Sequence, residues 1–420
     1  MLKHQPLIRV ERKGSGKSER PAEFDPAASK GLWDDDMQRD LPKKWERHGD
    51  MIVFPRNSFT HNNWRFIGRE LWRVVAESLN VARLGRKRII DDEDDRTPHV
   101  DLLYGDHGWV EHVDDRGIRF IYDASKRVFN NKKLPEMQRI SEWDCHGQTI
   151  VDMYAGLGYY SLRFLVCCGA KQVVSIDWSD DMCEALRRTA EANNVEDRMV
   201  VIEGDSRRVT PCQVADRVFL GLVPSCRAHW LTACKALKQE GGMLHIHEMI
   251  DINTKTPPKK VEPLDLFRAP PPRLQSVDEE GSSKENKPIT GKSNSSPPKD
   301  MAEKGQVKRQ LSRSQSIVEE IESRVLPTPK VLKDFEQGEW KSLAEPYKEF
   351  AMDCATNCTR FLNNIHFSDT MYCVTIVNIT KYGGISKKSD HVALDLMCCK
   401  EDMAIEKMVA RYLTLNHSST

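Results

Sequence analysis

The chain has 420 residues, 39% of them hydrophobic and 30% charged, and its 63 basic and 63 acidic residues cancel to a formal charge of zero. That length accommodates two or three domains with cores of their own. Bulk neutrality excludes a generally basic nucleic-acid binder and confines any polyanion surface to a local patch.

The mean hydropathy of -0.58 is low for a compact enzyme and implies that part of the chain stays unpacked. The opening MLKHQPLIRVERK has no apolar segment of the kind a secretory leader needs. No run of about 18 apolar residues is present to cross a membrane. Twelve scattered cysteines, none in a C-x-x-C pair, read as reduced thiols. The expectation is a monomeric cytoplasmic protein. Cys354 and Cys358 share a helix face but lack the second ligand pair zinc requires, so they are assigned to the core and no metal is expected.

In chain order, residues 1–30 form an unpatterned basic tail. Its KGSGKSE resembles a phosphate-binding loop, but Glu11 stands where the first glycine is needed and no strand precedes it. Residues 31–123 predict a small α+β domain. RELWRVVAESLNV (69–81) has helical spacing, and 99–123 alternates in strand fashion around turns at 105–108 and 114–117. Residues 124–148 connect it to a second domain.

From 149 to 250, five apolar runs alternate with helical stretches: TIVDMY, QVVSID, MVVIEGD, DRVFLGL and GGMLHIHEM. Repeated βα units predict a parallel, doubly wound sheet. YYSLRFLVCCG, SDDMCEALRRTAEANN and CRAHWLTACKALKQE fit its helices, the second capped by Ser179 or Asp180. Residues 251–325 are Pro/Ser/Lys-rich and read as a disordered insert. Arg309 and Arg313 precede Ser312 and Ser316 by three residues, a spacing that suits a basic-directed phosphosite but recurs by chance. Residues 326–400 then supply a helix (345–365) and two strands (369–382 and 391–399), which complete a seven-stranded sheet, and 401–420 form a tail.

Ligands bind such sheets beyond the carboxyl ends of the strands. The first strand ends in Asp152, followed by Ala155, Gly156 and Gly158, where glycine lets backbone approach a ligand. The second ends in Asp177, nineteen residues past Gly158, where a carboxylate accepts from both hydroxyls of a ribose. The third ends in EGDSR, placing Asp205 and Ser206 beside an adenine. The fourth ends in LVPSC, putting Pro224 and Ser225 where substrate approaches. The dinucleotide fingerprint G-x-G-x-x-G is absent. D-x-x-A-G-x-G, an acid on the next strand and then G-D is the layout of class I S-adenosylmethionine enzymes.

The stretches LPKKWERHGDMIV (41–53), GDHGWVEHVDDRGIRF (105–120), VDMYAGLGYYSLRFL (151–165), ADRVFLGLVPS (215–225), GGMLHIHE (241–248) and SDHVALDLMCC (389–399) resemble the wybutosine-synthesis family of tRNA-modifying enzymes. Its nearest relatives are the tRNA guanine-N1 methyltransferases. LGLVPS is similar to the wybutosine branch. The resemblance implies a class I S-adenosylmethionine (Rossmann-like) fold and transfer of the 3-amino-3-carboxypropyl group of S-adenosylmethionine to 4-demethylwyosine in the anticodon loop of phenylalanine tRNA. 5'-Methylthioadenosine leaves. The alternatives are a guanine-N1 methyltransferase and a weakly active or inactive tRNA-binding member. The residues before Gly31 are too few for a separate tRNA-body-binding module.

Residue by residue, Asp177 matches the family's ribose acid, which is more often Glu, and Asp205 and Ser206 match its Asp-Asn adenine contacts. FNNKKLPEM (129–137) departs from the family's Phe-Ser-x-Gly-Asn-x-x-Glu-Lys. Asn130 falls where the family has a cofactor-binding Ser and Met137 where it has a Lys, with Lys132 or Lys133 as substitutes. His245 and His247 point to one face of their strand and are candidate general bases, with satisfied polar positions the plainer reading of both; His247 is also a candidate for the substrate pocket. His107, Trp109 and His112 in the small domain's turn either touch tRNA or pack. Basic clusters at 84–90, 124–133 and 186–188 are candidate phosphate contacts.

Overall fold

A computed structural model describes residues 35–88, 100–127, 129–252, 326–366, 370–386 and 389–401. The tail of 1–30 with its KGSGKSE, nearly all of the 251–325 insert with its serines, and 402–420 lie outside the described residues.

The first part of the chain builds a four-stranded sheet from β1 (Glu46–His48), β2 (Met51–Phe54), β3 (Arg83–Lys87) and β4 (Val100–Tyr104), in that spatial order. β2 and β3 run parallel because a helical crossover separates them, α2 (Trp64–Ile67) followed by α3 (Arg69–Leu79). Leu71, Val75, Ala76 and Leu79 of α3 recur at helical spacing and bury against Ile52, Phe54 and Leu84 of the sheet. α1 (Asp35–Asp40) adds Met37 to the same core.

The next two strands, β5 (Trp109–Val113) and β6 (Arg119–Asp123), pair with each other as a hairpin. This hairpin leans on the larger sheet. Thr189 of helix α5 (Asp180–Ala192) donates to the Ile121 carbonyl at 3.2 Å and accepts from its N–H at 2.9 Å. Val110, Phe120 and Tyr122 share one apolar cluster with Ile150, Phe164, Leu186 and Phe219.

The larger sheet comprises β7 (Thr149–Asp152), β8 (Gln172–Asp177), β9 (Met199–Glu203), β10 (Arg217–Leu220), β11 (Gly241–Asp251), β12 (Lys330–Val331), β13 (Tyr372–Ser386) and β14 (Ser389–Lys400). The spatial order is β12-β13-β14-β11-β10-β7-β8-β9. The seven strands read from the sequence are all present. An eighth, the two-residue β12, pairs parallel to β13 at the edge and is too short to leave a periodic signal. β7 to β11 are parallel and β14 runs antiparallel between β11 and β13. Central strands buried on both faces carry apolar residues in succession, as Ile150 and Val151 do in β7 and Val218, Phe219 and Leu220 in β10.

Val151, Val218, Leu220, Leu244 and Ile246 point to one face. There α7 (Trp230–Ala236) and the last helix, α10 (Glu345–Ile365), cover them; α10 buries Phe350, Cys354, Cys358 and Leu362. Two short helices, α8 (Lys333–Gln337) and α9 (Glu339–Ser342), lead into it. Among the described residues no helix is long and apolar enough to cross a membrane.

Three stretches differ from the sequence reading. β11 continues to Asp251, so the break in the sheet comes slightly later than residue 251. The helix expected over YYSLRFLVCCG is a series of turns ending in a π-helical turn, Arg163–Cys167. Arg163 there is fully buried, and its guanidinium pairs with Asp114 at 2.6 Å, with Asp115, and with the Ser141 hydroxyl at 3.0 Å. That bonding ties the hairpin turn to the sheet. The stretch 124–148 is more than a connector, since it folds into a 3-10 turn (Asn131–Lys133) and helix α4 (Leu134–Ser141), which buries Met137 and Ile140.

Leu244 is fully buried in the central core. Leu244→Ala is expected to lower unfolding free energy by about 2–5 kcal/mol in urea titrations, whereas Val200→Ala, on an exposed strand position, changes it by less than about 1 kcal/mol.

Candidate cofactor and substrate site

The chain leaves β7 at Asp152 and turns sharply before Ser161. Met153 N–H donates to the Phe219 carbonyl at 3.0 Å and Ala155 N–H to the Ile176 carbonyl at 2.9 Å, which fixes the turn over β10 and β8. The two glycines have different reasons. Gly158 has φ +86°, and a Cβ there meets Leu162 at 2.5 Å, so packing excludes a side chain. Gly156 has φ +55°, and a Cβ there meets nothing within 4 Å. Its backbone borders open space, as a ligand-facing loop requires.

Asp177 closes this loop from the end of β8. Its carboxylate accepts from Gly156 N–H at 2.9 Å and from Ser179 N–H at 3.0 Å. A carboxylate has about four acceptor positions, so capacity remains for donors in the open space. Burial pushes its pKa up, opposed by the amides and by Arg127. Ser179 takes the N-cap position of α5 without capping through its side chain; its hydroxyl accepts from Arg127 at 3.1 Å instead.

Asp152 is fully buried beneath the loop, accepting from the Ser161 hydroxyl at 2.8 Å and Tyr154 N–H at 3.3 Å. Burial raises it to about 6 against the pull of Ser161 and Lys133. Lys133, last residue of the 3-10 turn, sits with its ammonium 4.7 Å from the Tyr159 ring centre and 5.1 Å from that of Tyr160. Burial lowers its pKa while Asp152 and Asp177 raise it. Lys133 is thus a cation of this segment whose charge acts on both acids of the loop, four residues before Met137. Met137 is 1% exposed, in the apolar cluster under α4. Asn130 is exposed; its carboxamide oxygen accepts from Lys132 N–H at 3.1 Å, an Asx turn that starts this segment, and its own N–H donates to the Tyr159 hydroxyl at 2.8 Å.

At the end of β9, Asp205 caps α6 (Ser206–Val209) by accepting from Arg207 N–H at 3.0 Å. It also pairs with the Arg207 guanidinium at 2.6 Å, which holds its carboxyl below the usual range. Ser206 is buried and its carbonyl accepts from the Thr210 hydroxyl. Beyond β10, the exposed Pro224 follows a cis peptide bond and its carbonyl accepts from Met249 N–H at 2.8 Å. Ser225 bridges to Glu248, which lays this loop along the end of β11.

His245 and His247 share a face and both are buried and bonded. His245 Nδ1 lies 2.7 Å from Asp395 and Nε2 lies 3.2 Å from the Arg217 guanidinium. His247 Nδ1 lies 2.9 Å from His391 Nε2, and Nε2 lies 3.2 Å from Glu136. Glu136 also accepts from Arg139 at 2.7 Å and from the Tyr382 hydroxyl, and Arg139 reaches Asp395 at 2.6 Å. Burial pushes Glu136 up, but Arg139 and His247 outweigh it and hold it at about 2.

Glu136, Arg139, Tyr382, His391 and Asp395 were not singled out by sequence reasoning. Asp395 alone left a signal, as the one charge in HVALDLMCC. Of the turn residues, His107 faces the Arg83 guanidinium at 2.7 Å, His112 stacks on Phe129 with centres 3.9 Å apart, and Trp109 lies under Arg188 at 4.0 Å, all of them packing contacts.

Burial holds His391 at about 4, helped by His247, and holds His229 at about 4, helped by Arg207, both from an ordinary 6.5. Depressed histidines leave the unfolded chain binding more protons below 6.5, so stability falls as pH drops from 6.5 towards 4. Urea midpoints measured across that window are expected to fall, and His391→Gln to make the fall shallower.

Residues 28–108 match the TYW2 N-terminal domain, and residues 111–266 match the TRM5/TYW2 methyltransferase domain. The tRNA wybutosine-synthesizing protein 2 homolog of Homo sapiens is 41% identical over 220 residues, 52% of this chain and 49% of that protein. The homolog of Danio rerio is 40% identical over 240 residues, 57% of each chain. The chain spans about half the length of the curated relatives it matches. The crystal structure of P. horikoshii TYW2 in complex with MeSAdo is 18% identical with a TM-score of 0.47, over 89% of this chain and 97% of that one.

Proposed function

The chain belongs to the TRM5/TYW2 family, and from that premise we propose that it transfers the 3-amino-3-carboxypropyl group of S-adenosylmethionine to 4-demethylwyosine in the anticodon loop of phenylalanine tRNA. The match of residues 28–108 to the TYW2 N-terminal domain carries the choice of this branch over methyl transfer. In the reaction a nucleophilic ring atom of the base attacks the methionine γ-carbon. The C–S bond breaks, its electron pair neutralises the sulfonium, 5'-methylthioadenosine leaves, and the base gives up the proton it carried at that atom. S-adenosylmethionine supplies the electrophile; the chain supplies position and a dry wall.

The residues around the loop fit that co-substrate. Asp177 accepts from the ribose hydroxyls while Gly156 and Gly158 let the backbone close on it. Lys133, between Asp152 and Asp177, faces the methionine carboxylate. Asp205 and Ser206 bound the adenine end, Asp205 keeping free acceptor positions beside Arg207. Asn130 and Asp152 act on the pocket from outside it, the first by starting the turn that delivers Lys133 and the second by opposing the fall in pKa that burial imposes on that ammonium. Pro224, Ser225 and His247 line the substrate side at the ends of β10 and β11. The twelve free cysteines suit a reducing, cytoplasmic setting.

Two measurements test the reading. With phenylalanine tRNA carrying 4-demethylwyosine, carboxyl-labelled S-adenosylmethionine is expected to label the RNA; methyl label alone would show the guanine-N1-methyltransferase chemistry instead. In calorimetric titrations Asp177→Ala and Lys133→Ala are each expected to weaken S-adenosylmethionine binding by about tenfold or more. Met137→Ala lowers stability and leaves affinity unchanged, and a loss of affinity there would return the cation-binding position to α4.

A further inference from the structure

An open groove of about 420 Å³ lies in the small N-terminal sheet, apart from the cofactor loop. It sits where the chain enters β1 and where the parallel strands β2 and β3 end. Crevices beyond the carboxyl ends of parallel strands are where open α/β sheets take ligands. Its walls carry Lys44, Arg56, Lys87 and Arg88 against a single acid, Glu46. Lys87 pairs with Glu46 at 2.6 Å, and Arg88 pairs with Asp101 outside the groove. Lys44 and Arg56 are exposed and have no carboxylate partner among the described residues.

In a chain of zero formal charge this is a concentrated positive site. Trp45 lines it too, half-buried, with its ring edge-on to Phe54 at 6.2 Å between centres. Small-molecule pockets enclose most of their ligand, and this groove is open. An open, cationic groove with an anchored aromatic is the arrangement that takes a nucleic-acid backbone and stacks a base.

From these observations we propose that the groove between β1, β2 and β3 is an RNA-docking surface, with Lys44, Arg56, Lys87 and Arg88 on consecutive phosphates and Trp45 against an unpaired base. The inference rests on the tRNA reading above and adds a second contact point to it. The groove is coupled to the cofactor loop by packing. β1 continues to His48, whose ring bonds the Tyr122 hydroxyl at 3.0 Å, and Phe129 packs between Tyr122 and Tyr159, with ring centres 6.3 and 5.0 Å away.

The test uses the full chain and an unmodified anticodon stem-loop RNA, with affinity measured by fluorescence anisotropy across a salt series. The wild-type protein is expected to bind with a clear salt dependence. Lys44→Glu combined with Arg56→Glu is expected to weaken binding by about tenfold and to reduce the log–log salt slope by about 1.5, the share of two phosphate contacts. S-adenosylmethionine affinity and melting temperature report folding and stay unchanged, since both positions are exposed and remote from Asp177. Equal affinity and equal slope in the folded double variant would overturn the groove proposal, as would a groove that serves an acidic protein segment and leaves RNA binding intact. Failure of the wild-type chain to bind RNA would instead overturn the tRNA reading on which the inference rests.

Discussion

A guanidinium taken out of water must be met by carboxylates, and Arg139 is met by two. Glu136, on its own helix, and Asp395, on β14, close on it at 2.7 and 2.6 Å. Each carboxylate then holds a buried histidine of β11, Glu136 taking His247 and Asp395 taking His245. Removing one member leaves an uncompensated charge in the interior, which costs far more than the intact arrangement yields. The network therefore fixes where α4 lies across the end of the sheet. Because Lys133 immediately precedes α4, the same constraint sets the position of an ammonium whose charge acts on both Asp152 and Asp177.

The cofactor side of the sheet is built from backbone, and the substrate side from side chains. Gly156, Gly158 and the N–H groups that Asp177 collects give a loop whose shape is set by hydrogen bonds and positive φ. On the other side, Phe219 and Tyr160 pack with ring centres 4.5 Å apart beside His247, and the ring of Tyr382 lies nearly parallel to that of His247. Phe219, Tyr160 and His247 are buried, and both nitrogens of the His247 imidazole are already engaged. On the proposed function such a wall would dry and stiffen the substrate side while adding little acid or base of its own, since Glu136 is held as the anion.

How far the sequence reveals this depends on whether a feature is local. Strands with successive apolar residues, a glycine pair after an acid and an acid ending the next strand are all written within short windows, and the sheet and the strand-end places of Gly156 and Asp177 follow from them. Arg139 and Asp395 are 256 positions apart, so no window contains the pair. Helix α4 has eight residues, too few for periodicity to stand out inside a connecting stretch. Ungapped register with the family pattern puts Met137 at the cation's place and leaves Lys132 or Lys133 as substitutes. The 3-10 turn before α4 brings the Lys133 ammonium over the Tyr159 and Tyr160 rings, while the helix turns Met137 into the core.

Charge shows the same division between local and assembled information. A formal charge of zero suggests no preference for polyanions, and the basic run at 84–90 is by itself an ordinary solvated strand end. Folding brings Lys87 and Arg88 of that run beside Lys44 and Arg56, which come from two other segments, with Glu46 the only acid on the same walls among the described residues. The potential that an incoming phosphate meets depends on this local sum, screened over about 8–10 Å at physiological salt, rather than on the charge of the whole chain. A neutral protein can thus hold RNA at one face and leave the transfer site to Asp177, Lys133 and the buried network. Binding and chemistry are then separable by mutation, because the side chains that would grip phosphate are not those that would face the sulfonium.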